Sequence, residues 1–68
     1  MIMQRVQSSN LVAVGYDDVT NTLYIQFKNG TYKYFNVPDN IYRNLMNAYS
    51  KGEYHAEYIK DAFRYQRV

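Results

Sequence analysis

The sequence predicts an α+β domain, in which an antiparallel three-stranded meander is followed by two helices packed on one face. A fourth strand joins the meander if the opening segment Met1–Gln7 pairs at its edge. Three observations carry this reading. Asn29-Gly30 lies between two runs of alternating apolar and polar residues, the strongest short-range signal for a hairpin. A second turn, around Asp18–Asn21, independently selects the same buried face. Beyond Val37-Pro38 the apolar spacing changes from two to that of a helix.

Taken in order, Met1–Gln7 alternates weakly and reads as a short edge strand or a loose arm. Ser8-Ser9-Asn10 is a turn, because all three side chains compete for nearby backbone groups. Leu11–Tyr16 is a strand of β-branched and aromatic residues. With a four-residue loop at Asp18–Asn21, Tyr16 pairs with Leu23, Val14 with Ile25 and Val12 with Phe27. Gly15 then falls opposite Tyr24, whose ring is expected to cover the missing side chain. A two-residue turn at Asn29-Gly30, both with positive φ, pairs Phe27 with Tyr32, Ile25 with Tyr34 and Leu23 with Asn36. One face then carries Leu23, Ile25, Phe27, Tyr32 and Tyr34. The other carries Tyr24, Gln26, Lys28, Thr31, Lys33 and Phe35. A three-residue turn with a glycine bulge is excluded because it sets Lys33 beside Ile25.

Pro38 and Asp39 suit the first turn of a helix, whose dipole favours the acid. Ile41, Leu45 and Ala48 form its apolar stripe, which Tyr42, Met46 and Tyr49 widen. Ser50-Lys51-Gly52 ends it, with Gly52 as the breaker. A second helix is expected from about Glu53 to Ala62, presenting Tyr58, Ile59, Ala62 and Phe63. The tail from Phe63 to Val68 alternates with period two and suits an extended conformation.

At 68 residues the chain makes one domain, residues 1–68, and its core is small. It has no Cys, so neither a disulfide nor a cysteine metal site supplements that core. Nine Tyr and three Phe point instead to dense aromatic packing. The net charge of +2 is mildly basic, well short of a dedicated nucleic-acid binder. No apolar run has membrane-span length and the first residues are too short for a signal-peptide core, so a cytoplasmic, membrane-free location is expected.

An ordered set of signposts runs along the chain: Ser8-Ser9-Asn10-Leu11, Val14-Gly15-Tyr16-Asp17, and Leu23-x-Ile25-x-Phe27-x-x-Gly30. Tyr32-x-Tyr34, Val37-Pro38-x-x-Ile41-Tyr42, Ala48-x-Ser50-x-Gly52-x-Tyr54 and Ile59-Lys60 follow. This order resembles the KTSC domain, named for its place at the C-terminus of some lysyl-tRNA synthetases. The resemblance extends from about Val6 to Arg64, and it rests on the ordered set rather than on any single motif. It implies a stand-alone copy of the kind found in bacteria and phages. The activity of such domains is unassigned, and RNA binding has been suggested from the synthetase association. The family tends to follow Tyr54 with an aromatic residue and then Asn, where this chain has His55 and Ala56.

Catalysis, metals and cofactors find little support in the residues. His55 is the only His, and it reads as a solvated helix-surface residue; Ser50 nearby has no orienting third group. His55 and Glu57 are two apart, hence on different helix faces, with no Cys to complete a metal site. Asp17, Asp18 and Asn21 are turn residues that lack the spaced ligands of a calcium loop. The glycines form no phosphate cradle, and Asn29-Gly30-Thr31 is a hairpin turn rather than a glycosylation site. No enzyme and no cofactor are expected.

Two function classes remain. Tyr24, Lys28, Lys33 and Phe35 interleave rings and bases on the outer sheet face, as single-strand binders do. Arg64 and Arg67 on the tail extend the basic track. These six residues are the expected contacts for RNA or single-stranded nucleic acid. The alternative is a protein-interaction or scaffolding domain, with Tyr24 and Phe35 facing a protein partner or a second copy in a homodimer. Tyr32 and Tyr34 belong to the core by the same register.

Overall fold

The computed structural model describes every residue from Met1 to Val68. Five antiparallel strands form one sheet in chain order: β1 (Gln4–Arg5), β2 (Leu11–Asp17), β3 (Thr22–Phe27), β4 (Gly30–Tyr34) and β5 (Tyr65–Arg67). Between β4 and β5 lie α1 (Asp39–Asn47) and α2 (Lys51–Tyr54), and α2 widens directly into a π-helical turn over His55–Ile59. The α+β class and the order of its elements are as expected, but the strand count is higher. The opening segment contributes β1, and the tail returns to pair with β4 as β5.

The first turn has the expected register: Tyr16 pairs with Leu23, Gly15 with Tyr24 and Val14 with Ile25. Beyond Ala13 the ladder shifts, so Phe27 pairs with Leu11 rather than with Val12. This irregularity at Val12 turns Leu11 inward, to 2% exposure, where strict alternation would place Val12. Gly15 is covered by the arm before β1 rather than by Tyr24. A Cβ built there would meet the Met3 sulfur at 2.6 Å and the Met1 sulfur at 3.0 Å.

The second hairpin departs further. Phe27 pairs with Gly30, Ile25 with Tyr32 and Leu23 with Tyr34, so the two-residue loop is Lys28-Asn29. Asn29 has a negative φ, and Gly30 alone is positive, at +154°, where it opens β4. The pairing is therefore two residues from the expected one. A two-residue shift leaves every side chain on its face, so the hydrophobic pattern cannot distinguish the two registers. The turn backbone decides, and here it needs glycine one position later than an Asn-Gly primed turn would.

Leu11, Val14, Leu23, Ile25 and Tyr34 from the sheet meet Val37 from the connection to α1, and Leu45 and Ile59 from the helical layer, in one core. Each aliphatic side chain buried there contributes on the order of 1.5–3 kcal/mol. Asn36, at φ 57°, turns the chain out of β4, and the Val37 N–H donates to the Asn21 carbonyl at 2.8 Å. Tyr16 locks this corner: its hydroxyl donates to the Val37 carbonyl and its ring stacks on Tyr42, with centroids 5.0 Å apart. Ser50-Lys51-Gly52 starts the second helix rather than ending the first. The Ser50 hydroxyl accepts from the Glu53 N–H at 3.3 Å, which caps α2.

Gly30 tests the hairpin. A β-branched residue at φ +154° is strained, so Gly30→Val is expected to destabilise the domain by about 1–3 kcal/mol in urea denaturation. An unchanged midpoint would contradict the backbone assigned to this turn.

Candidate functional site

Strand alternation divides the chemistry of the sheet between two faces. On the outer face, Tyr24 and Lys33 are cross-strand neighbours, whereas the sequence placed Tyr24 beside Phe35. Phe35 lies two residues beyond Lys33, whose ammonium sits 5.6 Å from the Phe35 ring centroid. The Phe35 N–H donates to the Arg64 carbonyl at 2.9 Å, and Phe35 and Arg64 line one shallow hollow with Thr20 and Asn36. Tyr24, Lys33, Phe35 and Arg64 are thus brought together. Arg5 pairs with Ala13 and adds a base to this face that only the pairing of β1 reveals.

Two of the six expected residues lie elsewhere. Lys28 sits in the hairpin loop, its N–H donating to the Asn10 carbonyl at 3.3 Å. Arg67 pairs with Tyr32 and so stands on the opposite face, where its guanidinium donates to the Asn29 carbonyl at 2.7 Å. It also lies 5.9 Å from the Tyr32 ring centroid. A tail strand that alternates sends Arg64 to one side and Arg67 to the other.

The helix-side face holds the feature that sequence reasoning missed. His55 is not solvated: it is 9% exposed, and its Nε2 lies 2.8 Å from the Tyr34 hydroxyl. The signal was its position four residues before Ile59, on the same side of a helix. Burial pushes the His55 imidazole down from its ordinary value, and the nearby Lys60 charge adds to this. Burial pushes the Tyr34 phenol up to about 12, helped by Tyr32 and Tyr65. Both partners are therefore neutral near pH 7.

These two rings belong to a closed circuit. Phe27 meets Tyr32, Tyr32 meets Tyr65, Tyr65 meets Tyr34, Tyr34 meets His55, and His55 meets Phe27. The centroid separations run from 4.9 to 5.9 Å. The five rings line a half-open pocket together with Asn29 and Lys60. No group of three His, Asp or Glu side chains stands close enough to hold a metal ion. No helix is long and apolar enough to cross a membrane.

Residues 7–63 match the KTSC domain family. The chain belongs to that family. A KTSC domain protein from Yersinia pestis shares its fold with a TM-score of 0.96 and 38% identity, covering 98% of this chain and 96% of that one. A lysine–tRNA ligase of Nostoc sp. is 38% identical over 63 residues, which are 91% of this chain but 11% of the ligase. A protein of Tsukamurella paurometabola is also 38% identical, and there the match spans 91% of this chain and 94% of the relative. The chain thus corresponds to about a tenth of the curated ligases that it matches, and to nearly the whole of a stand-alone protein. Neither the family nor the solved neighbour names a catalytic activity.

The depressed imidazole sets a pH dependence. Below the ordinary value of 6.5 the unfolded chain takes up a proton that native His55 refuses, so the His55 contribution to stability is lost as pH falls through that range. Between about pH 7 and about pH 5 the native protein is expected to lose more stability than a His55→Phe variant. Parallel pH profiles from thermal denaturation of the two would contradict the buried, neutral His55.

Proposed function

We propose that this KTSC domain is a small RNA-binding module whose outer sheet face carries the contact. The observation behind this reading is the placement of Tyr24, Lys33, Phe35 and Arg64 on one surface, with rings and cations alternating across neighbouring strands. Half-buried rings offer stacking platforms that suit any base, and the cations beside them neutralise phosphates. The match to a segment of lysine–tRNA ligases, proteins whose own name includes tRNA, points the same way. With a net charge of +2 the binding is weak and salt-sensitive.

A protein-interaction role through strand addition is less favoured, because the exposed edges β1 and β5 are only two and three residues long. An amide-shift titration with mixed-sequence single-stranded RNA at two salt concentrations tests the reading. Shifts are expected at Tyr24, Lys33, Phe35 and Arg64. Lys33→Ala is expected to weaken all sequences about equally and to reduce the salt slope by about one. No shift on this face at low salt would overturn the assignment. Concentration-dependent shifts without RNA would instead make the face a dimer contact.

A further inference from the structure

The five-ring circuit on the helix-side face is separate from that surface and has no role in the RNA-binding reading above. Its make-up restricts what it can hold. Four walls, Phe27, Tyr32, Tyr34 and Tyr65, come from strands β3, β4 and β5, and the fifth, His55, comes from the helical layer. Here the rings meet edge-on or tilted, with interplanar angles of 40° to 74°, and a pocket lies against them. Tyr65 is 58% exposed, so this wall is open to solvent.

Aromatic enclosures of this kind take either a quaternary ammonium or a flat π-system, and the charge at the rim separates the two. Lys60 lines the pocket, and Arg67, outside the lining, contacts two residues that do line it, donating to the Asn29 carbonyl and lying 5.9 Å from the Tyr32 ring centroid. Neither is ion-paired; the ion pair of this protein joins Asp39 and Arg43, on α1. Two unpaired cations oppose a cationic guest and attract an anionic one. The polar lining is also selective. His55 spends Nε2 on Tyr34, while its other ring nitrogen has no protein partner and keeps contact with solvent. It remains available to a guest with hydrogen-bonding edges.

From these three features, the aromatic walls, the cationic rim and the uncommitted His55 nitrogen, we infer that the pocket is a receptor for one nucleobase carrying a phosphate. The base enters among the Tyr32, Tyr65 and His55 rings, and the phosphate meets Lys60 and Arg67. A free mononucleotide and an unstacked nucleotide of a single strand present the same chemistry. The site is independent of the outer face, which lies across the sheet.

The test titrates the intact protein with 5′-AMP, with adenosine, with oligo(A) of four residues and with choline, following amide shifts. AMP is expected to move Phe27, Tyr32, His55, Lys60 and Tyr65 and to leave Tyr24, Lys33 and Phe35 in place. Tyr65→Ala removes the exposed wall, and it is expected to weaken AMP about five- to 150-fold, the range for loss of one stacking ring. Lys60→Ala is expected to weaken AMP and leave adenosine unchanged. If AMP and the tetramer compete for the pocket, the tighter of the two identifies the source of the nucleotide, and either result supports the site. Choline binding without AMP binding would overturn the inference in favour of a cation cage. Silence of the five ring residues with millimolar AMP and with the tetramer would overturn it outright. Tetramer shifts confined to the outer face would remove the pocket and keep the RNA-binding reading. AMP in the pocket with no RNA shift on the outer face would do the reverse.

Discussion

The hydrogen bond between the Tyr34 hydroxyl and His55 Nε2 joins the sheet to the second helix inside a core of only eight buried apolar residues. A domain this small, with no Cys to cross-link it, has little surplus stability to absorb an unmatched polar group. Paired, the two groups add roughly the modest net gain of any hydrogen bond, about 0.5–1.5 kcal/mol. Unpaired, either one carries a desolvation penalty of about 1–3 kcal/mol. The asymmetry makes the pair a constraint more than a source of stability. It specifies which helix face docks, and it fixes the rotation of α2 and its π-helical turn over β3 and β4. That docking brings His55 against the four rings that the strands supply.

Strand alternation then lets a short meander serve two surfaces at once. On β4, Tyr32 and Tyr34 face the helices while Lys33 faces outward, and Phe35 continues the outward series beyond the strand. On the tail, Tyr65 and Arg67 join the helix-side face while Arg64 joins the outer one. β5 is therefore more than an extra edge. Without it the pocket would lack the Tyr65 wall, and Arg67 would not reach the Asn29 carbonyl beside it.

Much of this was legible in the residues, and the failures share a cause. The faces of the hairpins depend only on the parity of the register, so Leu23, Ile25 and Tyr34 fall in the core under the expected pairing and under the observed one. The register was not legible, because moving β4 by two residues changes no side chain's environment class, and only the backbone at Asn29 and Gly30 distinguishes the two. The shift at Val12 is likewise a backbone event within an apolar run. β5 is three residues long and pairs with a strand some thirty residues earlier, a contact with no local signature. His55 was misplaced because a polar residue on a helix is ordinarily solvated. Its burial depends on a partner, Tyr34, that only the folded chain brings within 2.8 Å.

A double-mutant cycle on Tyr34 and His55 tests the central claim most directly, with the stabilities of Tyr34→Phe, His55→Phe and the double variant measured by urea denaturation. Each single change strands one buried polar group, whereas the double change removes both. The account predicts that the double variant is clearly more stable than the sum of the single effects, with a coupling energy of about 1–3 kcal/mol. Single effects that add to within about 0.5 kcal/mol would contradict it and remove this hydrogen bond from its place at the centre of the fold.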